Sequence, residues 1–209
     1  MSLPPAIVDA YGLDAASVEP ITIGLVNQTF VAKRPSGTKL IVQKLHATFA
    51  ASVNHDIDAI TTHLASHGML TPRVVRTRDG KLHVDCDGVY RALTFLEGTT
   101  HTEVASPAIA WEAGRLAGRF HHVIASFEHR FRFTRDGVHD TAKHLTRLRN
   151  AAGSESADAT VRALAAEIES AIASLPRLPE TKTRILHGDL KITNLLFSQD
   201  GSKAIALLD

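Results

Sequence analysis

Short runs that alternate apolar and polar residues dominate the first hundred positions, and this period of two is typical of strands with one buried face. Turn sequences separate several runs, as at 35–37, Pro-Ser-Gly, and at 78–81, Arg-Asp-Gly-Lys. This part of the chain predicts an antiparallel sheet that starts with three consecutive strands. The runs that predict strands lie at 21–23, 29–33, 39–45, 72–77, 82–85 and 89–96.

A helical period interrupts the sheet once and then dominates the second half. Residues 51–67 carry apolar side chains every three or four positions, and Gly68 follows where a glycine often ends a helix. The same spacing predicts helices over 107–125, 140–150 and 156–175. The predicted fold class is therefore α+β, with a sheet-rich first part and a mainly helical second part.

Composition and charge narrow the choice of partner. The 209 residues are 44% hydrophobic, and 23 basic against 22 acidic residues give a formal net charge of +1 without a long block of either sign. This balance is typical of a soluble globular protein and shows no basic surface for nucleic acid or an anionic membrane. No apolar run approaches the roughly 18 residues that a membrane span needs. We therefore expect a small-molecule partner.

The cysteine and histidine content argues against a resident transition metal. Cys86 is the only cysteine, which excludes an intrachain disulfide and a cysteine-cluster site and favours a reducing compartment, so we expect a cytoplasmic protein. His63 and His67 share a helix face at a spacing that zinc could use. Neither an HExxH pattern nor a third neighbouring ligand accompanies them, so we expect solvated helix histidines.

A polar loop late in the sequence carries the strongest functional signal. Residues 187–194 read His-Gly-Asp-Leu-Lys-Ile-Thr-Asn, which contains the pattern His-x-Asp-x4-Asn. Residues 184–186, Arg-Ile-Leu, predict a strand before the loop, and the runs 194–197 and 204–208 predict a hairpin after it. Asp209 follows the second strand of that hairpin.

These residue types suit phosphoryl transfer, which needs a carboxylate to orient and deprotonate the acceptor hydroxyl and oxygen ligands to hold a metal-bound triphosphate. Asp189 is the candidate base, and Asn194 and Asp209 are the candidate Mg²⁺ ligands. Lys191 could offset the charge that develops on the transferred phosphoryl group. We expect His187 to orient the loop through hydrogen bonds rather than to act as a base.

With this motif the chain resembles the aminoglycoside phosphotransferase and choline kinase family, the small-molecule branch of the protein-kinase-like fold. Residues 24–30 are similar to the short nucleotide loop of that family, which implies contacts from Gly24 and Asn27. Residues 90–98 are similar to its hinge strand, whose backbone binds adenine. The residues that this implies as adenine contacts are Phe95, Leu96 and Glu97.

The resemblance implies a bilobal fold, with a nucleotide-binding lobe of antiparallel sheet over 1–96 and a mainly helical catalytic lobe over 97–209. It also implies an ATP- and Mg²⁺-dependent transfer of the γ-phosphate to a hydroxyl of a small molecule. In that family further helices follow the metal-binding aspartate and supply much of the acceptor pocket, whereas this sequence ends at Asp209. We therefore expect an incomplete catalytic lobe, exposed apolar helix surface, weak activity and a tendency to dimerise or aggregate.

The third strand departs from the family pattern. In the family, the third strand normally offers a lysine to the α- and β-phosphates of the nucleotide, and this lysine pairs with an acidic residue from the following helix. Here Gln43 stands where the lysine is expected, and Lys44 follows on the opposite strand face, so either residue is a candidate phosphate contact. The helix offers Asp56 or Asp58 as a partner, although we favour a solvated helix face as the explanation of both.

Gln43-Lys44 is itself similar to the third strand of N-acetylhexosamine 1-kinase-type sugar kinases, and residues 137–145 resemble a His-Asp-Thr helix start in those enzymes. Asp140 or Thr141 is equally explained as a plain helix N-cap. The resemblance favours a sugar or amino-sugar acceptor. A choline, homoserine or aminoglycoside kinase and a non-catalytic nucleotide-binding remnant remain as alternatives.

Overall fold

The structure is a computed structural model that describes residues 2–21, 26–135, 137–138, 140–176, 179 and 181–208. The helices are α1 Pro5–Tyr11, α2 Val53–Ser66, α3 Pro107–Ile124, α4 Thr141–Ala152 and α5 Ala159–Ser174. The strands are β1 Glu19–Ile21, β2 Gln28–Lys33, β3 Lys39–Lys44, β4 Val74–Val75, β5 Val84–Asp85, β6 Val89–Thr94, β7 Leu195–Phe197 and β8 Ala204–Leu207. Short 3₁₀ turns lie at Ala15–Ser17 and Ile192–Asn194.

The larger sheet is antiparallel, as predicted, with the order β1-β2-β3-β6-β4 and with β5 also paired to β6. The predicted strands 72–77 and 82–85 shrink to two residues each, and the Thr77 amide donates to the Lys81 carbonyl at 2.9 Å within the turn between them. The Thr77 hydroxyl accepts a hydrogen bond from the Lys81 amide (2.8 Å) within the intervening turn. The Arg78 amide donates to the carbonyl of Ala10, at the end of α1.

The first hydrophobic core lies between this sheet and α1, a helix that periodicity did not predict. Leu3, Ile7 and Tyr11 recur every four positions and are buried against sheet residues such as Val42 and Ala92. Seven residues are too few for an amphipathic pattern to stand out, and the proline at the helix start suits the first turn.

Helix α2 follows its prediction closely. It ends in a Schellman motif, in which the Met69 amide donates to the carbonyl of Leu64 and the Gly68 amide to that of Ala65. Gly68 has φ +71°, which a glycine adopts without steric cost. Helices α4 and α5 begin after Asp140 and Asp158, whose side chains accept from the backbone amides three residues on, so Asp140 is an N-cap.

The second core joins α2 and α3 to the hairpin of β7 and β8. Its members include Leu64, Phe120 and Phe197. Thr99 and Phe197 exchange both backbone hydrogen bonds, 3.0 and 2.8 Å long, which fastens the hairpin to the segment after β6. The carbonyl of Phe197 lies against Gly98, at a place that a Cβ atom would occupy. The hairpin is confirmed, but the strand predicted at 184–186 is wrong, because that segment pairs with no strand among the residues that the structure describes.

Residues 1–133 together with 184–209 form one compact unit, and residues 134–183 form another. In the second unit Arg149 of α4 and Glu169 of α5 form an ion pair of 2.7 Å. The apolar face of α5 is largely uncovered, with Leu164 at 54% exposure. Trp111 of α3, in the first unit, is 65% exposed although the rest of that helix contributes to the core.

Within the described part of the chain, no helix combines the length and apolar character that crossing a bilayer requires.

Candidate active site

The loop before β7 gathers three of the predicted catalytic residues. The Asp189 carboxylate accepts a hydrogen bond from Lys191 Nζ at 2.8 Å and another from Asn194 Nδ2 at 3.1 Å. Asn194 Nδ2 also donates to the Asp189 carbonyl at 3.0 Å. Gly188, with φ +81°, turns the chain into this arrangement. The sequence spacing of five residues therefore closes into a direct contact.

Asp189 is an exposed carboxylate with an altered proton affinity. The hydrogen bond from Lys191 is the main cause that lowers its pKa below the ordinary value; the bond from Asn194 and the nearby His187 act in the same direction, and partial desolvation opposes them. Asp189 is therefore ionised at neutral pH. An ionised, exposed and oriented carboxylate can accept a hydrogen bond from an alcohol and then its proton.

Asn194 is buried at the start of the hairpin, and its hydrogen bonds decide which of its side-chain atoms could bind a metal ion. Its carbonyl accepts from the Leu208 amide at 2.9 Å, so the two ends of the hairpin meet here. Since Nδ2 donates to Asp189, the remaining polar atom of the side chain is Oδ1, an oxygen of the kind that Mg²⁺ prefers. Asp209 lies outside the described residues. The donor chemistry of Asn194 fits a Mg²⁺ ion that also uses phosphate oxygens.

No cluster of three His, Cys, Asp or Glu side chains suited to a metal occurs among the residues that the structure describes. The His63 and His67 rings lie 4.3 Å apart, but His63 is not simply solvated. It packs on Phe127, with ring centroids 4.7 Å apart, and its Nε2 lies 3.0 Å from the carbonyl of Val123. His63 therefore helps to join α2 to the end of α3.

His187 packs edge-on against Phe120 of α3, with ring centroids 5.8 Å apart. This contact anchors the first residue of the catalytic loop to the second core. An orienting role for His187 remains a prediction.

The residues predicted to contact the nucleotide phosphates separate onto two faces of the sheet. Gly24 lies outside the described residues, and Asn27 Oδ1 accepts from the His46 amide at 3.0 Å. Lys44 Nζ bonds Asp87 at 3.0 Å and lies over the Tyr90 ring. The alternation of the strand turns Gln43 to the other face.

Gln43 bonds residues of the two neighbouring strands. Its Oε1 accepts from Arg91 Nε at 2.9 Å, and its Nε2 donates to Thr29 Oγ1 at 3.4 Å. Arg91 is directly opposite Gln43 in the antiparallel pair of β3 and β6. Sequence reasoning missed Arg91, although a charge within the largely apolar run of β6 was a signal that could have marked it.

The predicted hinge residues contact Lys39 at the start of β3. Lys39 Nζ forms an ion pair with Glu97 at 2.9 Å and lies 4.9 Å from the centre of the Phe95 ring. Leu96 precedes Gly98, where the chain meets β7. The structure therefore brings the predicted hinge segment next to both β3 and the hairpin of β7 and β8.

Neither acidic residue of α2 pairs with Gln43 or Lys44 among the described contacts. Asp58 forms an ion pair with Arg76 at 2.9 Å. Asp56 is only 3% exposed, so the expectation of a solvated helix face is wrong for it. Its carboxylate accepts from the amides of Arg132 and Phe133, at 2.9 and 3.0 Å, and from His129 Nε2 at 2.8 Å. No sequence pattern predicts the contact between Asp56 and His129.

Three phosphotransferases are among the solved structures that share this fold. An amicoumacin kinase in complex with AMP-PNP and Ca²⁺ matches with a TM-score of 0.68 and 17% identity, over 98% of this chain and 61% of that one. A macrolide 2'-phosphotransferase from Brachybacterium faecium matches with a TM-score of 0.62 and 18% identity, over 98% of this chain and 68% of that one. A microcompartment-associated aminopropanol kinase matches with a TM-score of 0.62 and 14% identity, over 98% of this chain and 67% of that one.

The chain thus spans about 61% to 68% of the length of these structures. At such identities the likeness establishes the fold, and it confirms the predicted α+β, protein-kinase-like architecture. A family model described as the phosphotransferase enzyme family, APH, matches residues 17–209, which is most of the chain and includes the loop of Asp189 and Asn194. The chain belongs to this phosphotransferase family.

Proposed function

We propose that this protein transfers the γ-phosphate of ATP to a hydroxyl group of a small molecule. The observation that carries the proposal is the Asp189 carboxylate, exposed, ionised and held between Lys191 and Asn194. In this proposal residues 1–96 hold the nucleotide, and residues 97–209 carry the catalytic loop.

The proposal gives Asp189, Lys191 and the two candidate metal ligands different parts in the reaction. Asp189 accepts the proton of the acceptor hydroxyl while the alcohol oxygen bonds to the γ-phosphorus, the bond to the bridging oxygen breaks, and ADP leaves. Lys191 fixes the carboxylate before the reaction. In this proposal its ammonium group also offsets the negative charge that develops on the phosphoryl group. Asn194 and Asp209 would hold Mg²⁺, which supplies positive charge to the triphosphate.

The proposed nucleotide contacts follow from the family resemblance. The loop residues Gly24 and Asn27 and the side chains of Gln43 and Lys44 are the candidates on the phosphate side. The backbone of the segment from Phe95 to Glu97 is the candidate for adenine. The nearness of Lys39 to Phe95 and Glu97 supports an ordered hinge.

For the acceptor we propose a sugar or an amino sugar, because Gln43-Lys44 and the helix start at Asp140 resemble sugar 1-kinases. A second class has support from the structural relatives, which are kinases of amicoumacin, macrolides and aminopropanol. We therefore keep choline, homoserine and antibiotic hydroxyls as the alternative acceptors, and a nucleotide-binding protein without turnover as the third candidate.

The balanced charge and the single Cys86 support a cytoplasmic protein that uses neither nucleic acid nor a membrane as its partner. The exposed apolar side chains on α3 and α5 support self-association, which sedimentation velocity would measure.

The test is ADP release, coupled to NADH oxidation, with ATP, Mg²⁺ and a panel of sugars, amino alcohols and antibiotics. We expect acceptor-dependent ADP release by the wild type and a loss of about 10²- to 10⁴-fold in kcat for Asp189→Asn, with nucleotide binding retained. Asp200→Asn is the matched control, because Asp200 is an exposed aspartate in the turn of the same hairpin and bonds only nearby serines in the described contacts. Equal turnover by Asp189→Asn and the wild type would exclude the assigned base.

A further inference from the structure

A cavity of about 300 Å³ lies inside the unit formed by residues 1–133 and 184–209. Its walls come from α2, β6, α3 and residues 185–187 and 207–208, which are far apart in the sequence. The candidate base Asp189 and the candidate metal ligand Asn194 do not line it, and neither does Gln43. The cavity is therefore a space separate from the proposed reaction centre.

The most buried part of the wall is apolar. Leu64 of α2, Leu93 of β6 and Phe120 of α3 line the cavity and are at most 7% exposed. The volume is about twice the roughly 150 Å³ of an apolar cavity that holds benzene. It also lies at the lower end of the range of about 300 to 1,000 Å³ for small-molecule sites. A molecule of one or two rings therefore fits this space.

Two polar side chains on the wall already bond within the protein. Thr61 Oγ1 donates to the carbonyl of Ile57 at 2.8 Å, and Arg91 Nε donates to Gln43 Oε1 at 2.9 Å. Neither Asp nor Glu occurs among the described residues that line the cavity. A cationic ligand would lose its water here and meet no carboxylate of these residues, whereas a neutral apolar ligand gains by covering the wall.

The cavity opens to solvent and reaches the segment that leads into the catalytic loop. Phe131 and Leu186 line it although they are 39% and 69% exposed, so they mark its edge. Ile185 lines it as well. Because residues 184–186 pair with no strand in the described part of the chain, their position depends on side-chain packing. A molecule in the cavity adds packing partners to this segment.

We propose that this cavity binds a neutral, apolar molecule of one or two rings, and that the bound molecule holds residues 185–187 against α2. Binding here requires neither nucleotide nor acceptor, so it is independent of the proposed function. The bound molecule acts on the catalytic loop through the segment that precedes it, and not through the proposed nucleotide contacts.

Indole is the probe, because it is neutral and has two fused rings. Nuclear magnetic resonance of the full chain, with labelled methyl groups, should show contacts from indole to Ile57, Ile60 and Ile185 and none to Ile7 in the first core. We expect a Kd of about 0.1 to 1 mM. Hydrogen exchange at the amides of residues 185–187 should slow by about threefold or more at saturation. Tryptamine, which adds an ammonium group, should bind at least about 10-fold more weakly.

Two substitutions of the same residue test the position of the site. Ile60→Trp fills part of the cavity from α2 and should weaken indole binding by about 10-fold or more. Ile60→Val is the matched control, since it keeps the space and should change the affinity by less than about threefold. Urea unfolding checks that both variants fold.

Several results would overturn the proposal. They are the absence of indole binding at about 10 mM, ten times the weakest expected Kd, and unaltered affinity in a folded Ile60→Trp variant. Contacts confined to Val161 and Leu164, on the exposed face of α5, would show adsorption to another apolar surface. Unchanged hydrogen exchange at residues 185–187 or equal binding of tryptamine would also contradict it. If Ile60→Trp does not fold, the contacts observed in the wild type decide the question.

Discussion

The buried carboxylate of Asp56 gives the sharpest stability prediction. It lies in the first turn of α2 and accepts hydrogen bonds from the backbone amides of Arg132 and Phe133 and from His129 Nε2. In Asp56→Asn the shape is kept, but the charge is lost and an NH₂ group must face one of these donors. A hydrogen bond to a charged group contributes about 1.5 to 3 kcal/mol, so we expect a loss of about 2 kcal/mol in the free energy of unfolding.

Urea unfolding followed by circular dichroism measures this loss. With a slope of about 2 to 3 kcal/mol per molar for a chain of this size, 2 kcal/mol moves the midpoint down by about 0.7 to 1 M. Asp58→Asn is the matched control on the same helix, since its ion pair with the exposed Arg76 is worth at most about 1 kcal/mol. Hydrogen exchange should also rise at the amides of residues 132 and 133 in Asp56→Asn only.

The pH dependence gives an independent check of the same contact. Burial alone would raise the pKa of Asp56, but the bonds from Arg132, His129 and Phe133 outweigh it and lower the pKa below the ordinary 3.8. The stabilisation is therefore complete above pH 3.8 and is lost as the pH falls through the lower value of the folded state. The difference between wild type and Asp56→Asn should shrink only below about pH 4. A difference below about 0.5 kcal/mol at pH 7, equal to that of Asp58→Asn, would refute the reasoning.

Three further predictions concern the hairpin and the catalytic loop. Gly98→Ala should lower the free energy of unfolding by about 2 kcal/mol or more, measured by thermal unfolding, because the added methyl group would meet the Phe197 carbonyl. Gly114→Ala is the control, since a methyl group there enters open space on α3 and should raise the stability or leave it nearly unchanged. Phe197→Ala should cost about 3 to 5 kcal/mol, since the ring is fully buried, and Trp111→Ala at a 65% exposed site should cost under about 1 kcal/mol. Lys191→Met removes the main cause of the low pKa of Asp189, so the acid limb of log kcat/KM should move to higher pH; an unmoved limb would show that Lys191 does not act on that carboxylate.

The spacing of apolar residues was sufficient to predict the helices and strands in which buried side chains recur over several turns or strand positions. Strands β2 and β3 and helix α2 fall within a few residues of their predictions because each buries one continuous face. The contact between Asp189 and Asn194 was also foreseeable, since it depends on five residues of local chain.

Contacts that depend on distant pairing were not foreseeable. The position of Arg91 beside Gln43 follows from the register of β3 and β6, whose partners lie 48 residues apart. The burial of Asp56 depends on amides 76 and 77 residues further along the chain. A single sequence fixes neither, because alternation tells which face a residue takes but not what lies opposite.

The separation of the two cores along the chain also sets an order for folding during synthesis. Every member of the first core lies between Leu3 and Ala92, so that core can close once the first sheet has left the ribosome. The second core needs Phe197 and Leu207 to cover Leu64, which has already been made. At about 5 to 20 residues per second, roughly a hundred further residues take on the order of ten seconds. For that time the apolar residues of α2 and α3 lack the hairpin side of their core, which makes the nascent chain a natural client for a chaperone that shields exposed helices.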